Sequence, residues 1–110
     1  MYTNQEIFAI SKAHLLKQDE PSMTELGVCL YRGDCGLKCA VGKLIPDEFY
    51  KKEMEGKSIS SVWHAYPEMA MLFEEGSLYL LSSLQAAHDH AEPERWMEEL
   101  KQIQREYGLK

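Results

Sequence analysis

The sequence predicts a mainly α domain of the α+β kind, with about four to five helices and a short β-hairpin around residues 28–40. Three observations predict it. Apolar residues recur at helical spacing in three stretches, a capping box opens the first of them, and two β-prone runs flank a glycine-bearing connector. Hydrophobic residues make up 45% and charged residues 27% of the 110 positions, a globular balance that fits one domain over 1–110.

Thr3-Asn4-Gln5-Glu6 has capping-box spacing, and Ile7, Phe8, Ser11, His14 and Leu15 then share a face, so a helix is expected over 4–17. Asp19-Glu20-Pro21-Ser22 stops it. A short helical turn is expected at 22–26. Val28–Arg32 and Leu37–Val41 are the two runs of the hairpin, joined through Gly33-Asp34-Cys35-Gly36; Lys38 onward is alternatively a helix start. Pro46-Asp47-Glu48 has the composition of a helix first turn, with proline supplying the helical φ and the acids facing the positive end. Ile59–Tyr66 and Pro67–Glu74 are expected as short helical segments. Leu80, Leu81, Leu84, Ala87 and His88 lie on one face of a helix over 78–90. Glu92-Pro93 breaks the chain before Trp96, Leu100, Ile103 and Tyr107, the apolar stripe of a last helix that Gly108 ends as the C′ residue.

The formal charge is −6. Residues 1–55 carry seven basic and nine acidic side chains, and residues 56–110 carry five and nine. No basic stripe runs along the sequence, so nucleic-acid binding is not expected; acidity suits a basic protein partner, or serves solubility alone. Neither a signal segment nor an apolar run of membrane-spanning length is apparent, so a cytoplasmic location without a membrane partner is expected. Thiols are reduced there, and three cysteines cannot all pair within one chain.

Cys29, Cys39 and His88 are candidate zinc ligands, since thiolate and imidazole suit that ion, although C-x5-C-x3-C lacks the C-x2-C knuckle of common fingers. Cys39 and His88 also suggest a nucleophile and its base. Asp89 is adjacent to His88 on a helix and should diverge from it, so Glu92 is the better expected orienter. Against both chemistries stands the simpler role of the same groups: cysteine behaves as a small hydrophobe, and a histidine on an apolar face is satisfied by a core hydrogen bond. Trp63, His64, Tyr66, Met69 and Met71 make a methionine- and aromatic-rich stretch that fits either core packing or an adaptable partner surface.

The run Cys29-Leu30-Tyr31-Arg32, then Gly36 through Glu48, followed by Tyr50 and Met54-Glu55-Gly56, resembles a family of small proteins of bacteriophages and prophages of Gram-negative bacteria. Leu84 through Asp89 and Trp96 extend the resemblance over nearly the whole chain. Within that pattern Cys29 and Cys39 fit and Cys35 is incidental, which weakens any site needing all three thiols. The resemblance implies an origin and brings no activity with it. The small Ala40-Val41-Gly42 segment suits a place where one backbone passes close to another element. The expected function is that of a small phage-type accessory protein, an inhibitor or adaptor that binds a host or phage protein without a cofactor. Tyr31, Arg32, Trp63 and Tyr66 are its candidate partner-binding residues. The alternative is a small thiol- or metal-dependent enzyme using Cys39 and His88, with zinc as its metal.

Overall fold

A computed structural model describes residues 1–110. Five α-helices carry the chain: α1 (Asn4–Gln18), α2 (Ile59–Ala65), α3 (Pro67–Ala70), α4 (Ser77–His90) and α5 (Trp96–Glu106). The mainly α class is as the sequence predicts. The capping box forms in full at Thr3 and Glu6, and Asp19 ends α1 in the left-handed region with φ 54°. Tyr107 caps α5, and the amides of Gly108 and Leu109 return to the carbonyls of Arg105 and Gln104, closing a Schellman motif.

Helix α4 is the central element, packed against α1, α2 and α5. Its residues Leu80, Leu81 and Leu84 are fully buried, and Ile7, Leu15, Val62, Trp96 and Leu100 meet them in one continuous core. That core also takes in Cys39, Ala40, Val41, Leu44 and Ile45 from the long segment between α1 and α2.

The central segment departs from expectation. No strands form, and in place of a β-hairpin over 28–40 there is a single antiparallel bridge, Arg32 to Lys38. The reason lies in where the backbone donors go. The amides of Tyr31 and Arg32 donate to the Glu55 carboxylate at 2.8 and 3.0 Å, and that of Lys38 to Gln18 Oε1 at 3.0 Å. Side chains from elsewhere satisfy groups that a ladder would otherwise pair.

Residues 22–26 are likewise not helical. Met23 bridges Cys29, with Leu30 N–H donating to the Ser22 carbonyl at 2.8 Å around a turn in which Gly27 has φ 83°. Neither Lys38 nor Pro46 opens an α-helix: the Phe49 and Tyr50 amides both return to the Pro46 carbonyl, and the turn goes no further. Helix α3 stops at Ala70 because residues 72–74 pair with the N-terminus, Tyr2 N–H donating to Leu72 O at 2.6 Å and Glu74 N–H to Tyr2 O at 2.9 Å.

Gly42 is where two backbones touch. A Cβ added there would lie 2.0 Å from the Tyr31 carbonyl oxygen. The expected close passage of the Ala-Val-Gly segment is therefore present, and its partner is the backbone of Tyr31.

Candidate functional site

The last turn of α4 meets the segment 22–29 in a buried polar cluster. His88 is completely buried, its ring stacked on Trp96 with centroids 5.6 Å apart. The Ser22 backbone N–H donates to His88 Nε2 at 2.9 Å. An amide can only donate, so Nε2 carries a lone pair, and the ring proton sits on Nδ1, 2.8 Å from Asp89 Oδ1. The imidazole is thereby held neutral in one tautomer with both nitrogens engaged.

Asp89 Oδ1 collects a further donor. Gln85 Nε2 donates to it at 2.7 Å, and the Cys29 sulfur lies within 4.8 Å of the carboxylate. Burial opposes charge on Asp89, yet His88, Cys29 and Gln85 around it prevail and hold its carboxyl below the usual range. Cys29 moves the other way: burial, then the neighbouring Asp89, pushes the thiol up to about 12. The cluster is a neutral thiol and a neutral imidazole arranged around one carboxylate.

This placement corrects the expectation for Asp89. Neighbouring helical side chains diverge on an ideal helix, but here Trp96 stacks on the His88 ring while Nδ1 reaches Asp89. Glu92 lies beyond the helix end and is exposed. Gln85 and Ser22 are the members the sequence reading missed. Gln85 precedes His88 and Asp89 by three and four positions, so the i, i+3, i+4 polar spine beside an apolar face was the available signal. The Ser22 contribution is a backbone amide from a distant segment, which no side-chain pattern encodes.

Cys39 and His88 do not form a pair. Cys39 is fully buried, its Sγ accepts from Gly42 N–H at 3.2 Å, and burial pushes its thiol up to about 12. His88 spends both nitrogens elsewhere. A thiol so shifted is almost wholly protonated at neutral pH, the wrong state for a nucleophile.

The three donors that do assemble are Cys29, His88 and Asp89, whose ligand atoms all lie within 4.8 Å of one another. Their types suit zinc, but their hydrogen bonding opposes it. Metal on His88 Nδ1 would move the ring proton to Nε2, leaving two N–H groups facing each other at the 2.9 Å contact with Ser22. Metal-bound histidines instead donate their second N–H to an acceptor. Cys39, expected in the ligand set, is outside this group.

Of the four candidate partner-binding residues, two are spent internally. Tyr31 is only 5% exposed, and its hydroxyl donates to the Lys57 carbonyl at 2.7 Å. Arg32 lies over the Tyr50 ring at 4.4 Å, donates to the Ile45 carbonyl and pairs with Asp47. Glu55 organises this corner, accepting from the amides of both residues and from the Tyr50 hydroxyl. Trp63 and Tyr66 remain at the surface in different cavities. Trp63 stacks on Phe73, which stacks on Tyr2, and the Trp63 and Phe73 rings line an open apolar groove of about 480 Å³ edged by Met1, Pro67, Met71 and Glu75.

Comparison with protein-family models, curated proteins and solved structures finds no match for this chain.

The cluster has a testable pH signature. Because the folded carboxyl of Asp89 is depressed, its contribution is fully present above the unfolded carboxyl range near pH 4 and is lost as pH falls through the lower folded value. Asp89→Asn is expected to cost about 1–3 kcal/mol at neutral pH, the scale for leaving buried donors badly matched. The gap between parent and variant should close below about pH 4. Urea midpoints across pH 2.5–7 measure it, and a pH-independent gap would contradict the assignment.

Proposed function

We propose that this chain is a small phage-type accessory protein that works by binding a host or phage protein in the cell cytoplasm, as an inhibitor or adaptor. The observation that carries this reading is the groove at Trp63 and Met71. Met71 is 75% exposed on its edge, and a contiguous apolar lining that a monomer leaves open favours a partner. Methionine suits such a surface because its flexible thioether adapts to varied shapes. Cys29, Cys39 and His88 argue in the same direction, since each is engaged or held in its unreactive state.

The charge around the groove narrows the partner. Residues 58–94 contain six carboxylates and no lysine or arginine. No lysine or arginine lines the groove, while Glu75 and His64 do. A segment with an apolar face and flanking lysines or arginines matches that surface, in the manner of an amphipathic helix laid in a groove. A second copy of this chain would bring the same carboxylates against their equivalents.

Met71→Glu tests the reading without touching the core. Tagged parent and variant are used for affinity capture from host and phage-infected lysates, with quantitative mass spectrometry. A protein retained by the parent and depleted at least tenfold by the variant is expected. Identical retention by both proteins, or no specific retention by either, would refute this groove as the working surface.

A further inference from the structure

A second cavity lies on another part of the molecule and has the opposite charge. It holds about 390 Å³ and is lined by Lys17, Lys38 and Lys43, with His14, Gln18 and Cys35 among its other residues. No carboxylate lines it. Three of the chain's 12 lysines and arginines thus face one cavity in a protein of net charge −6. None of the three is paired, because the ion pairs of the molecule are Arg32 with Asp47 and His88 with Asp89. Asp34 is next to Cys35 in sequence but lies outside the lining. With 18 acidic side chains available, gathering cations without a counter-charge leaves their mutual repulsion unrelieved.

The cavity is also held in place. Gln18 grips Lys38 by both backbone atoms, its Oε1 accepting from the amide at 3.0 Å and its Nε2 donating to the carbonyl at 2.9 Å. His14 Nε2 bonds the same carbonyl at 2.9 Å. Lys17 comes from the last turn of α1 and Lys43 from the single helical turn Gly42–Leu44, which packs on α1. The three lysine backbones are therefore fixed on one frame rather than spread along a mobile loop. A fixed backbone frame reduces the freedom lost when a ligand arrives.

We propose that this cavity binds a small phosphate-bearing anion, as inorganic phosphate or a phosphate monoester. Lysine acts toward phosphate as a point charge, and three such charges match a dianion better than a singly charged carboxylate. At about 390 Å³ the cavity is sized for a small ligand, whereas a polyanion would need the basic stripe that the sequence lacks. Burial holds His14 below its ordinary range against its hydrogen bond to the Lys38 carbonyl, and the charges of Lys43 and Lys38 act in the same direction as burial.

Cys35 supplies a built-in reporter, being the exposed cysteine of the three. Its labelling by iodoacetate, which is anionic, is compared with labelling by neutral iodoacetamide at fixed ionic strength, using peptide mass spectrometry. The iodoacetate-to-iodoacetamide rate ratio should be several-fold higher in the folded protein than in the urea-unfolded chain. Inorganic phosphate and glycerol 3-phosphate should each lower that ratio more than chloride of equal ionic strength. Stronger protection by the ester would identify an organic phosphate as the ligand, and equal protection would identify the free ion. Lys17→Gln combined with Lys43→Gln alters only exposed side chains and should bring the ratio toward the unfolded value. An unchanged folded ratio, or phosphate acting no better than chloride, would overturn the proposal. So would an oligonucleotide protecting Cys35 at far lower phosphate concentration than glycerol 3-phosphate.

Discussion

Gly42→Ala is expected to cost about 3 kcal/mol or more and to leave little folded protein, the upper end of what overpacking does. The added methyl would sit 2.0 Å from the Tyr31 carbonyl oxygen and 2.8 Å from its carbonyl carbon. Neither atom can retreat. The amides of Tyr31 and Arg32 are held by Glu55, and the Tyr31 hydroxyl is held by the Lys57 carbonyl. Gly42 itself lies in the buried segment that follows Cys39, whose sulfur accepts the Gly42 amide. Gly33→Ala is the internal control. Its methyl would meet the Ser22 hydroxyl at 2.7 Å, a side-chain atom that can rotate away for about 1 kcal/mol. Urea unfolding of both variants measures the difference, and comparable midpoints would contradict the account of the Tyr31 contact.

Trp96→Ala should destabilise the fold by about 3–5 kcal/mol, because it empties the largest side chain of a close-packed interior. Trp96 is fully buried, its Nε1–H donates to the Ala91 carbonyl at 3.1 Å, and its ring covers His88. Truncation would therefore leave an unpaired carbonyl and remove the wall that holds the imidazole over Asp89. The loss should appear as a lower urea midpoint with an unchanged slope, since the surface exposed on unfolding is nearly the same. A midpoint equal to the parent's would show that α5 is not a core element.

What was legible in the sequence divides along the range of the forces involved. The capping box at Thr3, the stripe Leu80-Leu81-Leu84 and the stripe Trp96-Leu100-Ile103 are local patterns, and α1, α4 and α5 follow them within one residue. Segment 28–40 misled because β propensity says only that residues suit an extended chain. Its conformation is extended in part, yet the pairing is decided by Glu55 and Gln18, which lie far off in sequence. The site was half visible for the same reason. His88 was placed correctly on the buried face, and Cys39 correctly in the core. Their supposed partnership failed because Ser22 N–H, a backbone donor, claims the nitrogen a base would need. Cys29 joins the carboxylate instead, a consequence of how segment 22–29 folds over the end of α4.

The central claim is that the thiol, imidazole and carboxylate form a closed structural network rather than reactive machinery. Time-resolved iodoacetamide labelling of the native protein near pH 7.5, quantified separately at Cys29, Cys35 and Cys39, tests it most directly. The network predicts that Cys29 and Cys39, both held near 12, label far more slowly than a free thiol and are released together by denaturant. Cys35 is exposed and labels first. Labelling of Cys29 or Cys39 faster than a free thiol, with the excess abolished by His88→Ala in a variant that remains folded, would contradict the account.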